Sequence, residues 1–348
     1  MVRIRAWVAI LLAVAVALTV VGCKSKDQPK LLSAWPVATV ERAVPKPPTP
    51  PRWPLTGLQA PSAAATKRRV MAVKIENSPE ARPQTGLQSA DVVYEEVTEG
   101  GITRFNSLFQ SKLPKIVGPV RSARLADLWI VPQYQALLFF SGANRQVNKA
   151  INRVGIPNLS EDAGVSYPYI RVTNRYAPHN LYVYPARGYE EAKRRKMATT
   201  GVTKPLQHLR RSGDGTVTVN SIFVPFSTVN KVLWTYDRAA KSYKRANNGR
   251  AFIDADTGKQ LTAKNVVVMW ARHIPQGKSK WGDEMYDITL GGSGRAVVFR
   301  NGQQFPGTWT ASKNTPPQFR DANGKPVQLE RGNTWIQVVA PSTNITLK

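Results

Sequence analysis

A single cysteine, Cys23, in 348 residues sets the terms on which this chain can fold. No intrachain disulfide is available, nor any zinc site that takes two or more thiolates from one chain, so each folded part must be held by its own apolar core. A hydrophobic fraction of 42% suffices for that and argues against both wholesale disorder and a polytopic membrane protein. The length accommodates about two domains once tails are set aside. The place of the cysteine says more than its number. It follows an uncharged run, residues 6–21, that is itself preceded by Arg3 and Arg5. Positive charge followed by an apolar stretch shorter than the roughly 20 residues of a comfortable membrane span is the layout of a secretory signal.

The run ends Val20-Val21-Gly22-Cys23, which resembles the lipobox of bacterial lipoproteins. The resemblance implies a signal peptide over residues 1–22, diacylglycerol on Cys23, and a mature protein lipid-anchored to the cell membrane on its extracytoplasmic face. Two or three acyl chains, at about 0.8 kcal/mol per buried CH₂, make such an anchor stable. The alternative is an uncleaved anchor with a free Cys23. Formal net charge is +27, and removing Arg3 and Arg5 still leaves 47 basic against 22 acidic side chains. Outside the membrane the abundant polyanions are lipid head groups and phosphate- or carboxylate-bearing polymers. The expected partners are therefore an anionic wall polymer or anionic lipid, with an envelope protein as a further candidate, and not nucleic acid. The bland alternative is generic basic charge with no specific polyanion.

Residues 23–66 carry nine prolines and little periodic hydrophobicity, which predicts a semi-rigid tether that spans roughly 100 Å if extended. Trp35 and Trp53 are its exceptions, expected to dock on the folded part or to lie at the lipid interface. Residues 67–205 alternate strand and helix patterns. Strands are expected at 70–75, 91–98, 102–111, 115–118, 136–141 and 179–184, with Glu99-Gly100-Gly101 turning a hairpin. Helices are expected from 125 to Pro132, at 144–154 and, strongly basic, at 188–198. Residues 206–348 are short β-branched or aromatic runs separated by Asn248-Gly249, Asn301-Gly302, Asn323-Gly324 and the glycine cluster 291–294, the signature of hairpins. The predicted fold is α+β in two domains: an N-terminal α/β domain with a mixed sheet and helices, and a C-terminal, mostly antiparallel β domain.

Several stretches together resemble one family. They are Ile75-Glu76-Asn77, Arg82-Pro83-Gln84, Gly86-Leu87, Ala90-Asp91-Val92-Val93-Tyr94-Glu95, Gly100-Gly101-Ile102-Thr103-Arg104, Gly118-Pro119-Val120-Arg121-Ser122-Ala123-Arg124 and Ala177-Pro178-His179-Asn180-Leu181-Tyr182. Later come Asn265-Val266-Val267-Val268, the glycines at 291–294, Gly307-Thr308-Trp309 and Gly332-Asn333-Thr334-Trp335-Ile336. In this order they resemble the YerB-like lipoproteins, built of an N- and a C-terminal domain of unknown function (3048). The resemblance implies two domains and a lipoprotein N-terminus, and no reaction.

His179, His208 and His273 show no metal-binding spacing, and neither a nucleophile elbow nor a Walker loop is present. The glycines at 291–294 sit between strands and read as a turn, so no cofactor or metal is expected. The chemistry that remains centres on arginine. Arg121-Ser122-x-Arg124-x-x-Asp127 follows a strand and is expected to open a helix capped by Ser122. Backbone N–H groups and two guanidiniums would then converge on a phosphate or carboxylate, with Arg104 reaching the same sheet end. Against this, Arg124 and Asp127 fit an ordinary i,i+3 surface pair. Glu95 and Glu96 must face opposite sides of their strand, so they form no close dyad, and one is expected to compensate an inward arginine. His179 and Asn180 are candidate ligand residues, although a histidine satisfied by backbone is the plainer reading. Asn77 reads as a turn former, and 190–196 as a charged, solvated helix face.

The leading expectation is a non-catalytic envelope lipoprotein that binds an anionic envelope ligand through Arg104, Arg121 and Arg124. One alternative is a phosphate- or pyrophosphate-handling wall enzyme with Asp127, Glu95 or His179 in proton transfer. Another is a transporter-associated solute-binding lipoprotein, which requires two similar α/β lobes around a cleft.

Overall fold

In the computed structural model, residues 49–210, 218–279 and 282–348 are described. Cys23, the signal segment, Trp35 and the tether as far as Pro48 lie outside the described residues. The remaining tryptophan of that stretch, Trp53, is buried, with the Arg68 guanidinium 5.2 Å from its ring centroid.

The N-terminal region contributes β1 (Met71–Glu76), β2 (Val92–Val97), β3 (Thr103–Phe109), α1 (Asp127–Gln133), β4 (Leu137–Phe140), α2 (Arg145–Val154), β5 (Asn158–Ser160), β6 (Tyr169–Arg171), β7 (Leu181–Val183) and α3 (Pro185–Arg194). From β8 onward the described residues form strands only: β8 (Ser221–Pro225), β9 (Lys231–Asp237), β10 (Ser242–Asn247), β11 (Arg250–Ala251), β12 (Thr262–Ala263), β13 (Asn265–Trp270), β14 (Arg272–Lys278), β15 (Glu284–Thr289), β16 (Gly292–Arg300), β17 (Gln303–Ser312), β18 (Thr315–Asp321), β19 (Thr334–Val339) and β20 (Thr346–Leu347). The fold is thus α+β, with a mixed sheet and helices in the N-terminal region and mainly antiparallel strands in the C-terminal one.

One ten-stranded sheet, in the order β18-β17-β16-β13-β19-β2-β3-β1-β4-β5, runs through both regions. The join is β19, which pairs in parallel with β13 on one side and with β2 on the other. β1, β2, β13 and β19 are buried on both faces almost throughout, which explains their near-continuous apolar runs. α1 and α2 cover one face, against Val92, Tyr94, Leu108, Val267 and Ile336. The opposite face carries Val93, Phe105, Val266 and Trp335 and packs on a second sheet, β11-β10-β9-β8-β20, with β12 beside β10.

Local chemistry accounts for several boundaries. α2 starts where the Asn144 carboxamide accepts the Val147 N–H at 2.8 Å, and it ends on Gly155 at φ 69°. The β2–β3 turn uses Gly100 and Gly101, both at φ 69°, as the hairpin signal predicts. The glycines at 291–294 do more than turn the chain. A Cβ on Gly291 would lie 2.3 Å from the Trp129 ring, so this glycine permits the close approach of α1 to the start of β16.

The helix expected to open on Ser122 begins five residues later, at Asp127. Residues 120–123 continue instead as an extended strip between β1 and residues 141–142. Arg121 N–H donates to the Lys74 carbonyl at 2.9 Å, Ser141 N–H to the Arg121 carbonyl at 3.1 Å, and Ala123 N–H to the Gly142 carbonyl at 3.0 Å. Long-range pairing has taken the N–H groups that a helix N-terminus would have left free.

Candidate functional site

Charged side chains stand inside otherwise apolar strands. In the helix-covered face of the sheet, Glu76, Arg104 and Glu96 are direct neighbours across β1, β3 and β2, and Lys74, Asn106 and Tyr94 form the next row. Lys74, Glu76, Glu96, Asn106 and Asp127 are buried. The Lys74 ammonium is in ionic contact with Glu96 and lies 2.9 Å from Asp127 Oδ1, to which Asn106 also donates at 2.7 Å. The other Asp127 oxygen accepts the Arg124 N–H at 2.7 Å. Asp127 is therefore the buried anchor of the turn, not half of an exposed i,i+3 pair with Arg124. Burial pushes the Glu96 carboxyl up to about 7, against the pull of Lys74 and with the help of Asp127.

Above this layer the arginines fan out. Arg121 Nε lies 3.2 Å from Glu76 Oε1, the oxygen that also faces His179 Nδ1 at 3.1 Å and accepts from Ser78 Oγ at 3.0 Å. Arg124 grips Glu99 Oε2 through Nε at 3.1 Å and Nη2 at 2.5 Å. Burial acts to raise Glu99, but the Arg124 charge and hydrogen bonds, with Arg104 assisting, leave its carboxyl below the ordinary value.

Arg104 differs from both. Only 5% of it is exposed, its Nη1 donates to the Ser122 carbonyl at 3.2 Å, its Nε is buried without an acceptor, and among the described residues no carboxylate lies within salt-bridge distance. Burial, reinforced by the like charges of Arg124 and Arg121, pulls it down to about 9, with Glu99 and Glu76 opposing. The three guanidiniums line one cleft of about 790 Å³, together with Ser122, Arg145 at the start of α2 and Lys278 near the end of β14. Five cationic side chains thus face two carboxylates, Glu99 and Asp283. A cleft of one dominant sign with low-dielectric walls concentrates anions.

Of the residues expected at the site, Arg104, Arg121, Ser122 and Arg124 meet in this cleft. His179 adjoins it through Glu76, and Asp127 lies beneath its floor. Two do not join. Glu95 points through the opposite face of the sheet, where both its oxygens accept from Arg245 Nη2, at 2.8 and 2.9 Å. There it compensates an inward arginine that sits 4.0 Å from the Phe252 centroid and 5.2 Å from that of Trp335. Asn180 bridges the β6–β7 hairpin instead, accepting from Arg171 Nη1 at 3.1 Å and donating to the Val172 carbonyl at 3.2 Å.

Asn77 is more than a turn former, since it is buried and donates to Thr103 Oγ1 at 2.7 Å. In α3, Glu191 binds Arg194 at 2.5 Å and Arg195 at 2.6 Å, which partly neutralises that basic face. Sequence reasoning missed Lys74, Glu76 and Glu99, whose signal was a charge at alternate strand positions or in the hairpin turn, and Arg145 and Lys278, which had none.

No helix among the described residues is long and apolar enough to cross a membrane. Residues 55–198 match the family model for the N-terminal domain of a "Protein of unknown function (DUF3048)", and residues 222–336 match its C-terminal domain. The chain is 28% identical over 343 residues, 96% of each chain, to the Bacillus subtilis (strain 168) protein named "Putative lipoprotein YerB". The crystal structure of YerB from Bacillus subtilis aligns with a TM-score of 0.76 at 28% identity, covering 85% of this chain and 99% of that one. Matching both halves of the family in order, and over nearly the whole length of one relative, the chain belongs to the DUF3048, or YerB-like, family.

Proposed function

We propose that this protein is an extracytoplasmic lipoprotein, anchored to the membrane through Cys23, that binds an anionic envelope ligand in the cleft of Arg104, Arg121 and Arg124. The observation that carries the reading is Arg104. A guanidinium this buried, without a carboxylate partner and beside two further arginines, is costly to keep, and a phosphate or carboxylate in the cleft would offset that cost with charge-assisted hydrogen bonds. The excess of cations outside the membrane, the long tether and the lipoprotein name of the relative support the location. The engagement of three neighbouring carboxylates supports binding over catalysis. Glu96 and Asp127 are committed to Lys74, and Glu95 to Arg245 on the far side.

The test is equilibrium binding of the full-length protein in detergent to polyglycerol phosphate and to phosphatidylglycerol vesicles, at two salt concentrations. Binding should weaken with salt and fall about tenfold in Arg104→Gln, the loss of one buried charge-assisted contact. Absence of salt-sensitive binding to either probe would remove the proposal.

One feature favours the phosphate-handling enzyme as a second reading. Glu76 holds His179 by Nδ1 beside Arg121, and a carboxylate that fixes one ring nitrogen leaves the other for proton transfer. Release of phosphate from inorganic pyrophosphate by the wild type but not by His179→Gln would establish it. The two similar lobes that a transporter-type receptor needs are not what the described residues form, because β19 joins both regions in one sheet.

A further inference from the structure

A second basic cleft, of about 630 Å³, opens where the loop after β1 meets the β10–β11 hairpin. It shares no lining residue with the first, and no carboxylate lines it. Its walls are Arg82, Arg250, Pro79, Pro83 and Phe252, with Gln84 and Asn247.

The ground beneath it is short of negative charge. Arg82 lies 5.7 Å from the Phe252 centroid. Its Nε and Nη2 donate to Asn77 Oδ1 at 3.0 Å and to the Asn77 carbonyl at 2.8 Å, which leaves Nη1 without an acceptor among the described residues. Arg245, behind the same ring, has Nε and Nη1 buried without partners. The buried carboxylates nearby are already engaged: Arg245 holds Glu95, and Asp254, bridged to Gln84, accepts the Gly86 and Gln88 N–H groups. Burial, and then Arg245, pull Arg82 down to about 10, while Glu95 and the exposed Glu80 oppose.

The same place is short of hydrogen-bond donors. Gln84 Oε1 and Asn247 Oδ1 are buried with none. Their orientation is settled by their other ends. Gln84 Nε2 donates to the Glu76 carbonyl at 2.8 Å and Asn77 Oδ1 at 3.2 Å, and Asn247 Nδ2 donates to Asn230 Oδ1 at 2.7 Å and the Lys231 carbonyl at 3.1 Å. Turning either amide would set oxygen against oxygen. A matching ligand carries negative charge and N–H groups close together, with some apolar surface for the prolines and Phe252. Inorganic phosphate supplies the charge but neither N–H groups nor apolar surface.

We propose that this cleft is a binding site for the carboxy-terminal end of a short peptide. Its carboxylate would lie between Arg82 Nη1 and Arg250, and its amide N–H groups would turn toward the floor that holds Gln84 and Asn247.

The test is calorimetric titration of the full-length protein with acetyl-alanyl-alanine, with the same peptide as its carboxy-terminal amide, and with inorganic phosphate. The acid should bind saturably and the amide at least about tenfold more weakly, as expected for loss of one charge-assisted pair. Arg250 is exposed on a hairpin, so Arg250→Ala leaves folding intact and should weaken the acid by a similar factor, whereas Lys313→Ala, at the exposed β17–β18 turn, should not. Equal binding of acid and amide, no binding at millimolar peptide, insensitivity to Arg250→Ala, or Arg250-dependent binding of phosphate in place of the peptide would each overturn the assignment.

Discussion

Lys74 of β1 and Asp127, the first residue of α1, are joined at 2.9 Å with both side chains fully out of water. This contact fixes the turn that presents Arg121 and Arg124, because the same carboxylate also takes the Arg124 N–H and the Asn106 amide. Replacing Lys74 with Met should strand two buried carboxylates, Asp127 and Glu96. The expected destabilisation is about 3–5 kcal/mol, the range for breaking a buried pair from one side, read from the urea midpoint at constant m.

Two buried acids, Glu96 in this layer and Asp91 at the other end of β2, also set a pH dependence. Burial raises Glu96 to about 7 and Asp91 to about 6, the latter despite its hydrogen bonds from Ser111 and Gln110. Both folded values lie above the roughly 4 of an unfolded carboxyl, so between those limits the native state binds more protons than the unfolded one. These two groups therefore lower stability as pH rises from about 4 to about 7, against His208, which burial pulls down to about 4 and whose proton loss on folding acts the opposite way over the same window. The slope of unfolding free energy against pH across that window should be more positive in Glu96→Gln than in the wild type, because the contribution of Glu96 is removed and that of His208 is kept. Equal slopes would place the titration elsewhere.

Glu95 and Arg245 connect β2, in the N-terminal family domain, to β10, in the C-terminal one, through a fully buried pair. Arg245→Leu should lose roughly 3–5 kcal/mol because Glu95 is left unpaired, and adding Glu95→Leu should recover much of that loss. A double-mutant cycle in urea measures the coupling. Since β19 also lies between β2 and β13, both halves should unfold in a single transition in every one of these variants.

Much of this architecture could be read from local pattern. The β2–β3 hairpin follows from two glycines between β-branched runs, and α2 from Asn144 and the apolar positions behind it. The opposite orientation of Glu95 and Glu96 follows from the two-residue period of a strand. What stayed hidden depends on partners far away in sequence. Nothing local to residues 334–339 says that they insert between β2 and β13, since a parallel neighbour is chosen by packing and not by a turn. The Ser122 cap failed for the same reason, as the Lys74 and Gly142 carbonyls claimed the neighbouring N–H groups first. The site was half legible. Arg104, Arg121 and Arg124 converge as their placement on strand and turn suggested, whereas Lys278 arrives from an arm more than a hundred residues downstream.

The amino terminus allows a direct test of location. With diacylglycerol on Cys23, mass spectrometry of the mature protein should find a modified cysteine as the first residue and nothing of residues 1–22. Cys23→Ser should leave the chain without acyl groups and shift it out of the detergent phase on partitioning, because the roughly 0.8 kcal/mol per buried CH₂ is lost with the chains. An unmodified wild-type polypeptide that starts at Met1 would contradict the anchor.

Arg104 offers the sharpest separation of function from structure. A residue kept for the fold weakens the fold when it is removed. Arg104 has a single carbonyl acceptor and an unpartnered Nε, and burial with the two neighbouring arginines outweighs the favourable pull of Glu99 and Glu76, so its burial opposes folding in the ligand-free protein. Taking an ion out of water costs on the order of several kcal/mol, and an apolar side chain of similar volume at a site with no direct ionic partner removes that cost. Arg104→Met should therefore raise the thermal midpoint of the unliganded protein while reducing salt-sensitive binding of polyglycerol phosphate. Opposite movement of the two readouts is the expected result, because a site that holds an uncompensated charge in readiness for an anion gives up stability for function. If the variant lost stability and binding together, Arg104 would instead be a structural member of the sheet, and the cleft would lose the residue that argues most strongly for a ligand.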